Sequence, residues 1–142
     1  MSYVRIWVHL VFTTKDREAI FTSELRKRLI DHIKTNARSK DIFIEAISGW
    51  SEHLHLLISL GREQNISKIA MLIKGESSRW FNQQGFVRGK LIWQDDYFAL
   101  SVSESLVDKV KRYIERQEEH HRAMPFSEEF EALRKIADKE FG

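Results

Sequence analysis

Apolar and polar residues alternate with a period of two from Tyr3 to Thr14. Val4, Ile6, Val8, Leu10 and Phe12 fall on one side; Arg5, Trp7, His9 and Val11 fall on the other. This period predicts a strand with two unlike faces. Thr22 and Ser23 then offer N-cap oxygens to a helix whose stripe is Leu25, Leu29, Ile33 and Ala37. A second strand is predicted over Ile42 to Ile47, and Ser48-Gly49-Trp50-Ser51 can turn the chain back into a third, His53 to Leu60. Asn65 or Ser67 can cap a helix bearing Ile66, Ile69, Ala70, Ile73 and Trp80, and two glycines mark Gln83 to Lys90 as a loop. Tyr97 to Val102 is aromatic and β-branched enough for a fourth strand. Ser103 or Ser105 opens a helix with Val107, Val110 and Ile114 as its stripe. Pro125 interrupts, and Phe126-Ser127 starts a last helix with Phe130, Leu133, Ile136, Ala137 and Phe141.

The first six elements run strand, helix, strand, strand, helix, strand. That order is the α+β, ferredoxin-like βαββαβ pattern, an antiparallel sheet here followed by two additional C-terminal helices. With 142 residues, one domain over 1–142 is expected, with no internal repeat or linker. In this arrangement the first and third strands are central neighbours. One shared face, Val4 to Phe12 with Leu54, Leu56, Ile58 and Leu60, is aliphatic and should pack on the first two helices. The other carries Arg5, Trp7, His9, His53 and His55.

Composition narrows the chemistry. Hydrophobic residues make up 42% and charged residues 31%, which suits a folded chain rather than a disordered one. Cysteine is absent, so disulfides and thiolate zinc sites are excluded and any metal must be held by His, Asp, Glu, Asn or Gln. No apolar run approaches membrane-spanning length and the N-terminus lacks a signal-peptide layout, so a cytoplasmic protein with no membrane partner is expected. Net charge is only +2, but it is unevenly spread. Gly61 to Lys90 carries six basic residues against Glu63 and Glu76, whereas Glu118 to Gly142 carries seven acids against four bases. The basic middle predicts a face for a polyanion, with Lys74, Arg79, Arg88 and Lys90 as candidate contacts. Trp7, Trp50, Trp80, Phe86, Trp93 and Tyr97 interleave with cations, as in surfaces that stack single-stranded bases, although core packing is the commoner role of such rings.

His53-Leu54-His55 is the sharpest chemical signal. Residues two apart on a strand share a face, so both imidazoles can serve one metal ion while leaving coordination positions open. Tyr113 and Gln117 are four apart, which on a helix would align a phenol with an amide at the edge of the Val107–Val110–Ile114 stripe. His120 and His121 end the same predicted helix and could cap it or supply a third ligand. Glu52 could ligate, or orient an imidazole.

With these residues in place, the chain resembles the single-tyrosine HUH transposases of the insertion-sequence 200/605 class and their repeat-associated relatives. The histidine motif is His53-Leu54-His55 within Ser51-Glu52-His53-Leu54-His55-Leu56-Leu57. The tyrosine motif is Tyr113-Ile114-Glu115-Arg116-Gln117. Val8-His9-Leu10-Val11-Phe12-Thr13-Thr14-Lys15, Ile73-Lys74-Gly75-Glu76-Ser77-Ser78-Arg79-Trp80 and Trp93-Gln94-Asp95-Asp96-Tyr97-Phe98-Ala99-Leu100-Ser101-Val102 are similar too. The resemblance implies a divalent metal, Mg²⁺ or Mn²⁺, held by His53, His55 and Gln117, with Tyr113 as nucleophile and no nucleotide cofactor. It implies single-stranded DNA with hairpin ends as substrate, a 5′-phosphotyrosine intermediate, strand rejoining, and a homodimer in which Tyr113 serves either subunit. Three rivals remain: a catalytically silent nucleic-acid-binding module on the same sheet, a metal hydrolase that uses water, and a two-histidine phosphoesterase. The last needs two His-x-Ser/Thr motifs that the chain lacks.

Overall fold

A computed structural model describes residues 2–123 and 125–141, together with their side chains except those of 120, 122, 123 and 136–141. Four strands form one antiparallel sheet: β1 (Ile6–Thr13), β2 (Phe43–Gly49), β3 (His53–Leu60) and β4 (Phe98–Val102), in the order β2-β3-β1-β4. This is the mixed α+β arrangement that the alternating pattern predicts, with β1 and β3 central. The helices are α1 (Ser23–Ser39), α2 (Ile66–Gln84), α3 (Val107–Glu115), α4 (Gln117–Ala123) and α5 (Phe126–Phe141).

The caps expected from sequence are present. Thr22 Oγ1 accepts from the Leu25 amide at 3.2 Å, and Asn65 Oδ1 accepts from the Lys68 amide at 2.8 Å. Gly85 ends α2 in the left-handed region at φ 68°, a conformation that costs glycine little. β1 starts later than the alternation suggests, because the chain before Ile6 has no strand partner and Tyr3 is exposed.

Register decides what each face holds. Val11 pairs with His55 and Thr13 with His53 across β1 and β3, so the odd-numbered residues of both strands share one face. The even-numbered Leu10, Phe12, Leu54, Leu56 and Ile58 pack under Leu29, Ile33 and Ala37 of α1 and Ile69, Ala70, Ile73 and Phe81 of α2. The opposite face is covered as well. Ile114, Val107 and Val110 of α3 pack on Trp7, Ala46 and Leu57, while Phe126, Phe130 and Leu133 of α5 pack on Val11 and Phe98. The sheet is thus enclosed on both sides, and its histidines lie inside the second layer. Of the last helix's predicted stripe, Ile136, Ala137 and Phe141 lie outside the described side chains.

The single helix expected after Ser103 is broken. A 3₁₀ turn over Glu104–Leu106 precedes α3, and α3 stops at Glu115. Arg116, at φ −97° and ψ 18°, donates its N–H to the Arg112 carbonyl, and α4 begins at Gln117. This backbone region is open to any residue, so neither glycine nor proline is needed to mark the break. Among the described residues, three C-terminal helices therefore follow β4 where two are expected.

Candidate metal and nucleophile site

β3 brings His53 and His55 to mid-sheet with no exposure to water. Their rings are 5.1 Å apart between centroids. Each is held on both sides. His53 Nδ1 is 2.5 Å from Glu52 Oε1, and His53 Nε2 is 3.3 Å from Gln117 Oε1. His55 Nδ1 is 2.8 Å from His9 Nε2 on the neighbouring strand, and His55 Nε2 is 2.5 Å from Glu129 Oε1 on α5. Phe126, also on α5, stacks on the His53 ring at 4.0 Å and 17°.

The break at Arg116 changes which residues pair along the helix. Gln117 and His121 are four apart on α4 and both are buried, so they share the face turned to the sheet. Tyr113 stays on α3, half-buried, with its ring 5.8 Å from that of His55 and 6.1 Å from that of His9. Tyr113 and Gln117 thus meet across a helix junction instead of within one helix. α4 is itself anchored from α1: the buried Arg26 reaches Glu118 at 2.7 Å while its guanidinium lies 5.2 Å from the Trp50 ring centre.

Glu129 was not among the residues that the sequence singled out. It is 1% exposed, and His121 Nε2 lies 3.0 Å from its Oε2. His53, His55, His121 and Glu129 each present one donor atom, all within 4.8 Å of one another. Three imidazoles and a carboxylate make a chemically apt set for a divalent cation, so the residues present fit one. A signal for Glu129 does exist in the sequence: it sits three residues after Phe126 and four before Leu133, within an otherwise apolar stripe. His121, one of the two residues raised as an alternative third ligand, lies in this group, while His120 lies outside the described side chains.

The electrostatics follow from this burial. Burial, with some help from the charge of His55, lowers His9 to about 3. Burial lowers His55 to about 4, against the opposing hydrogen bond and charge of Glu129. Both imidazoles are therefore neutral near pH 7, the form that ligates metal. Burial would raise the Glu129 carboxyl, yet hydrogen bonds with His121 and His55, the charge on His55 and a bond from Tyr113 hold it far below the usual range. Burial raises the Tyr113 phenol above its ordinary value, as do the hydrogen bond to Glu129 and its charge; a hydrogen bond from Gln117 acts the other way.

The candidate polyanion contacts lie elsewhere. Arg79, Arg88 and Lys90 are exposed on α2 and the loop after it. Lys74 is occupied, its ammonium donating to the carbonyls of Gln94, Asp95 and Asp96 at 2.5, 2.9 and 3.4 Å. Of the interleaved aromatics, Trp7 and Trp93 are core residues and Tyr97 is exposed, 6.0 Å from the Lys74 ammonium. A cleft of about 470 Å³ opens beside Phe126 and Phe130, with Arg17, Gln94, Tyr97 and Phe98 among its walls. Among the described residues no helix is long and apolar enough to cross a membrane.

Comparison with known proteins shows the family and the fold. Residues 2–117 match a family model described as transposase, IS200 like. The ISDra2 transposase TnpA of Deinococcus radiodurans is 28% identical over 114 residues, 77% of this chain and 81% of that one. A crystal structure of a candidate transposase from Deinococcus radiodurans R1 superposes with a TM-score of 0.67 at 26% identity, over 82% of this chain and 95% of that chain. A REP-associated tyrosine transposase solved with a REP hairpin superposes with a TM-score of 0.62 at 16% identity, over 85% of this chain and 72% of that chain; this is a likeness of fold. The family match ends at residue 117, so His121 and Glu129 fall beyond it.

Proposed function

The chain belongs to the IS200-like transposase family, and on that premise we propose that it cleaves and rejoins single-stranded DNA through Tyr113. One observation carries this reading. The half-buried phenol of Tyr113 lies 5.8 Å, ring to ring, from His55, one of a histidine pair whose Nε2 atoms meet an amide oxygen and a carboxylate. His53, His55 and Gln117 are the proposed holders of a divalent cation, Mg²⁺ or Mn²⁺. When bound, the cation supplies positive charge that polarises the scissile phosphate and favours the phenolate.

The chain's own residues do the rest. Gln117 and the β3 imidazoles would hold the cation's positive charge beside Tyr113, and the enclosing helices exclude water that would otherwise compete as nucleophile. Tyr113 Oη attacks phosphorus, the phosphorus–O3′ bond breaks, and the 3′ oxygen leaves as a hydroxyl, taking up the proton that the phenol releases. The phosphate stays on Tyr113 as a 5′ ester. Attack by a 3′-hydroxyl reverses these steps, so joining needs no nucleotide cofactor. We infer single-stranded DNA with hairpin ends as the partner, because a relative of the same fold was solved with a REP hairpin. A homodimer is part of the same proposal. The cleft beside Phe126 and the exposed cations Arg79, Arg88 and Lys90 are its proposed DNA contacts, with Lys74 shaping the loop that it holds.

The decisive experiment incubates the protein with single-stranded hairpin DNA and Mn²⁺ and resolves the products on a denaturing gel. A covalent protein–DNA band is expected, absent in Tyr113→Phe while DNA binding persists. An adduct formed by Tyr113→Phe would assign the nucleophile elsewhere. No adduct with any hairpin substrate would leave a binding module.

A further inference from the structure

We propose that Glu129 and His121 join His53, His55 and Gln117 in the divalent-cation site, supplying a third imidazole and a carboxylate to a centre closed by the C-terminal helix. This rests on the metal-assisted reading above and adds two ligands to it. Glu129 is central: its carboxylate lies 2.5 Å from His55 Nε2, 3.0 Å from His121 Nε2 and 3.7 Å from His53 Nε2. Three imidazoles from two elements thus turn the same nitrogen toward one point. Their outer nitrogens supply a second, independent observation. His53 Nδ1 donates to Glu52 and His55 Nδ1 meets His9. A ligating histidine uses such an outer partner: with the proton held on Nδ1, as Glu52 holds it on His53, Nε2 keeps a lone pair that a cation can take in place of its present contact. All four ligand atoms are buried and within 4.8 Å of one another, near enough that small side-chain shifts would bring them to bonds of about 2.0–2.2 Å around one ion.

This donor set shifts the choice of metal. Imidazole nitrogens favour first-row transition ions, whereas Mg²⁺ keeps oxygen ligands and several waters. The centre should therefore prefer Mn²⁺, Co²⁺ or Zn²⁺ over Mg²⁺. It also ties α5 to the sheet, because one ion would join side chains from β3, α4 and α5.

The test titrates chelator-treated full-length protein with Co²⁺, followed by calorimetry and visible absorption, with Mg²⁺ as competitor. One Co²⁺ per chain is expected, displaced by Mg²⁺ only in large excess. Glu129→Gln and His121→Ala should each weaken Co²⁺ binding by more than about tenfold, the least that even outer-shell partners cost, and should change the absorption spectrum. Amide exchange across 126–135 should slow on Co²⁺ addition in the unmodified protein but not in Glu129→Gln. Glu129→Gln keeps the side chain's shape, so it decides the matter if His121→Ala fails to fold. Wild-type affinity and spectrum in Glu129→Gln would overturn the proposal, as would exchange in α5 that ignores Co²⁺. Undiminished Co²⁺ binding by His53→Ala would instead refute the metal centre on which the proposal rests.

Discussion

A buried imidazole must satisfy two nitrogens without water, and His9 and His55 do so largely through each other. The arrangement has a pH signature. The folded-state values, about 3 for His9 and about 4 for His55, lie below the 6.5 of a free imidazole. Below pH 6.5 the unfolded chain takes up protons that the folded chain refuses. Their contribution to stability is therefore complete above pH 6.5 and lost as pH falls toward 4, at about 1.4 kcal/mol per pH unit for each group. Glu129, with its lowered carboxyl, adds a loss in the same direction only below its ordinary range, near pH 4.5. Urea midpoints of the chelator-treated protein should thus fall steadily from pH 6.5 to 4.5. A flat profile across that window would mean that these rings titrate as exposed ones. The histidine pair was legible from its spacing, but its protonation was not, since burial under α5 sets it.

At the scale of elements, the β2–β3 hairpin aims the site. Gly49 approaches the strand opposite so closely that an added Cβ would lie 2.2 Å from the His53 carbonyl oxygen and 2.8 Å from Leu54 Cδ2. Gly49→Ala should destabilise the fold by roughly 1–3 kcal/mol, as overpacking does, and should weaken divalent-cation binding by displacing His53. Denaturant melts and calorimetry read the two effects separately; a variant with unchanged midpoint and affinity would remove the hairpin from the account. The turn itself could be read from Ser48-Gly49-Trp50-Ser51, and the end of α2 from Gly85. The break at Arg116 could not, because no glycine or proline marks it. Its cause is tertiary: Gln117 and His121 are buried against β3, and Arg26 of α1 holds Glu118 beside them.

Across the whole molecule, the sheet separates two layers with different tasks. α1 and α2 close an apolar core, while α3, α4 and α5 cover the histidines. The exposed cations Arg79, Arg88 and Lys90 sit with the first layer and the loop after it, so on the proposed function they grip the backbone of a strand whose phosphate is processed elsewhere. Arg88→Ala and Lys90→Ala should each lower the slope of log affinity against log salt by about 0.7, the value for one single-strand phosphate contact. Filter binding at several salt concentrations measures it. An unchanged slope in both would remove them from the interface.

Periodicity was enough to read the strands, the first two helices, the central pairing of β1 and β3, and the opposition of an aliphatic face to a histidine-bearing one. Those features are local: side chains two apart on a strand or three to four apart on a helix must share a face wherever the element ends up. Motif order likewise put forward Tyr113, His53, His55 and Gln117, which the fold brings to one place. The meeting of Glu129 with His55, 74 residues apart in sequence, had no local spacing to announce it. It required α4 to turn at Arg116 and α5 to dock Phe126 on His53, and both follow from how long-range burial is satisfied. Folding turned a two-histidine strand motif into a closed cluster of four donors.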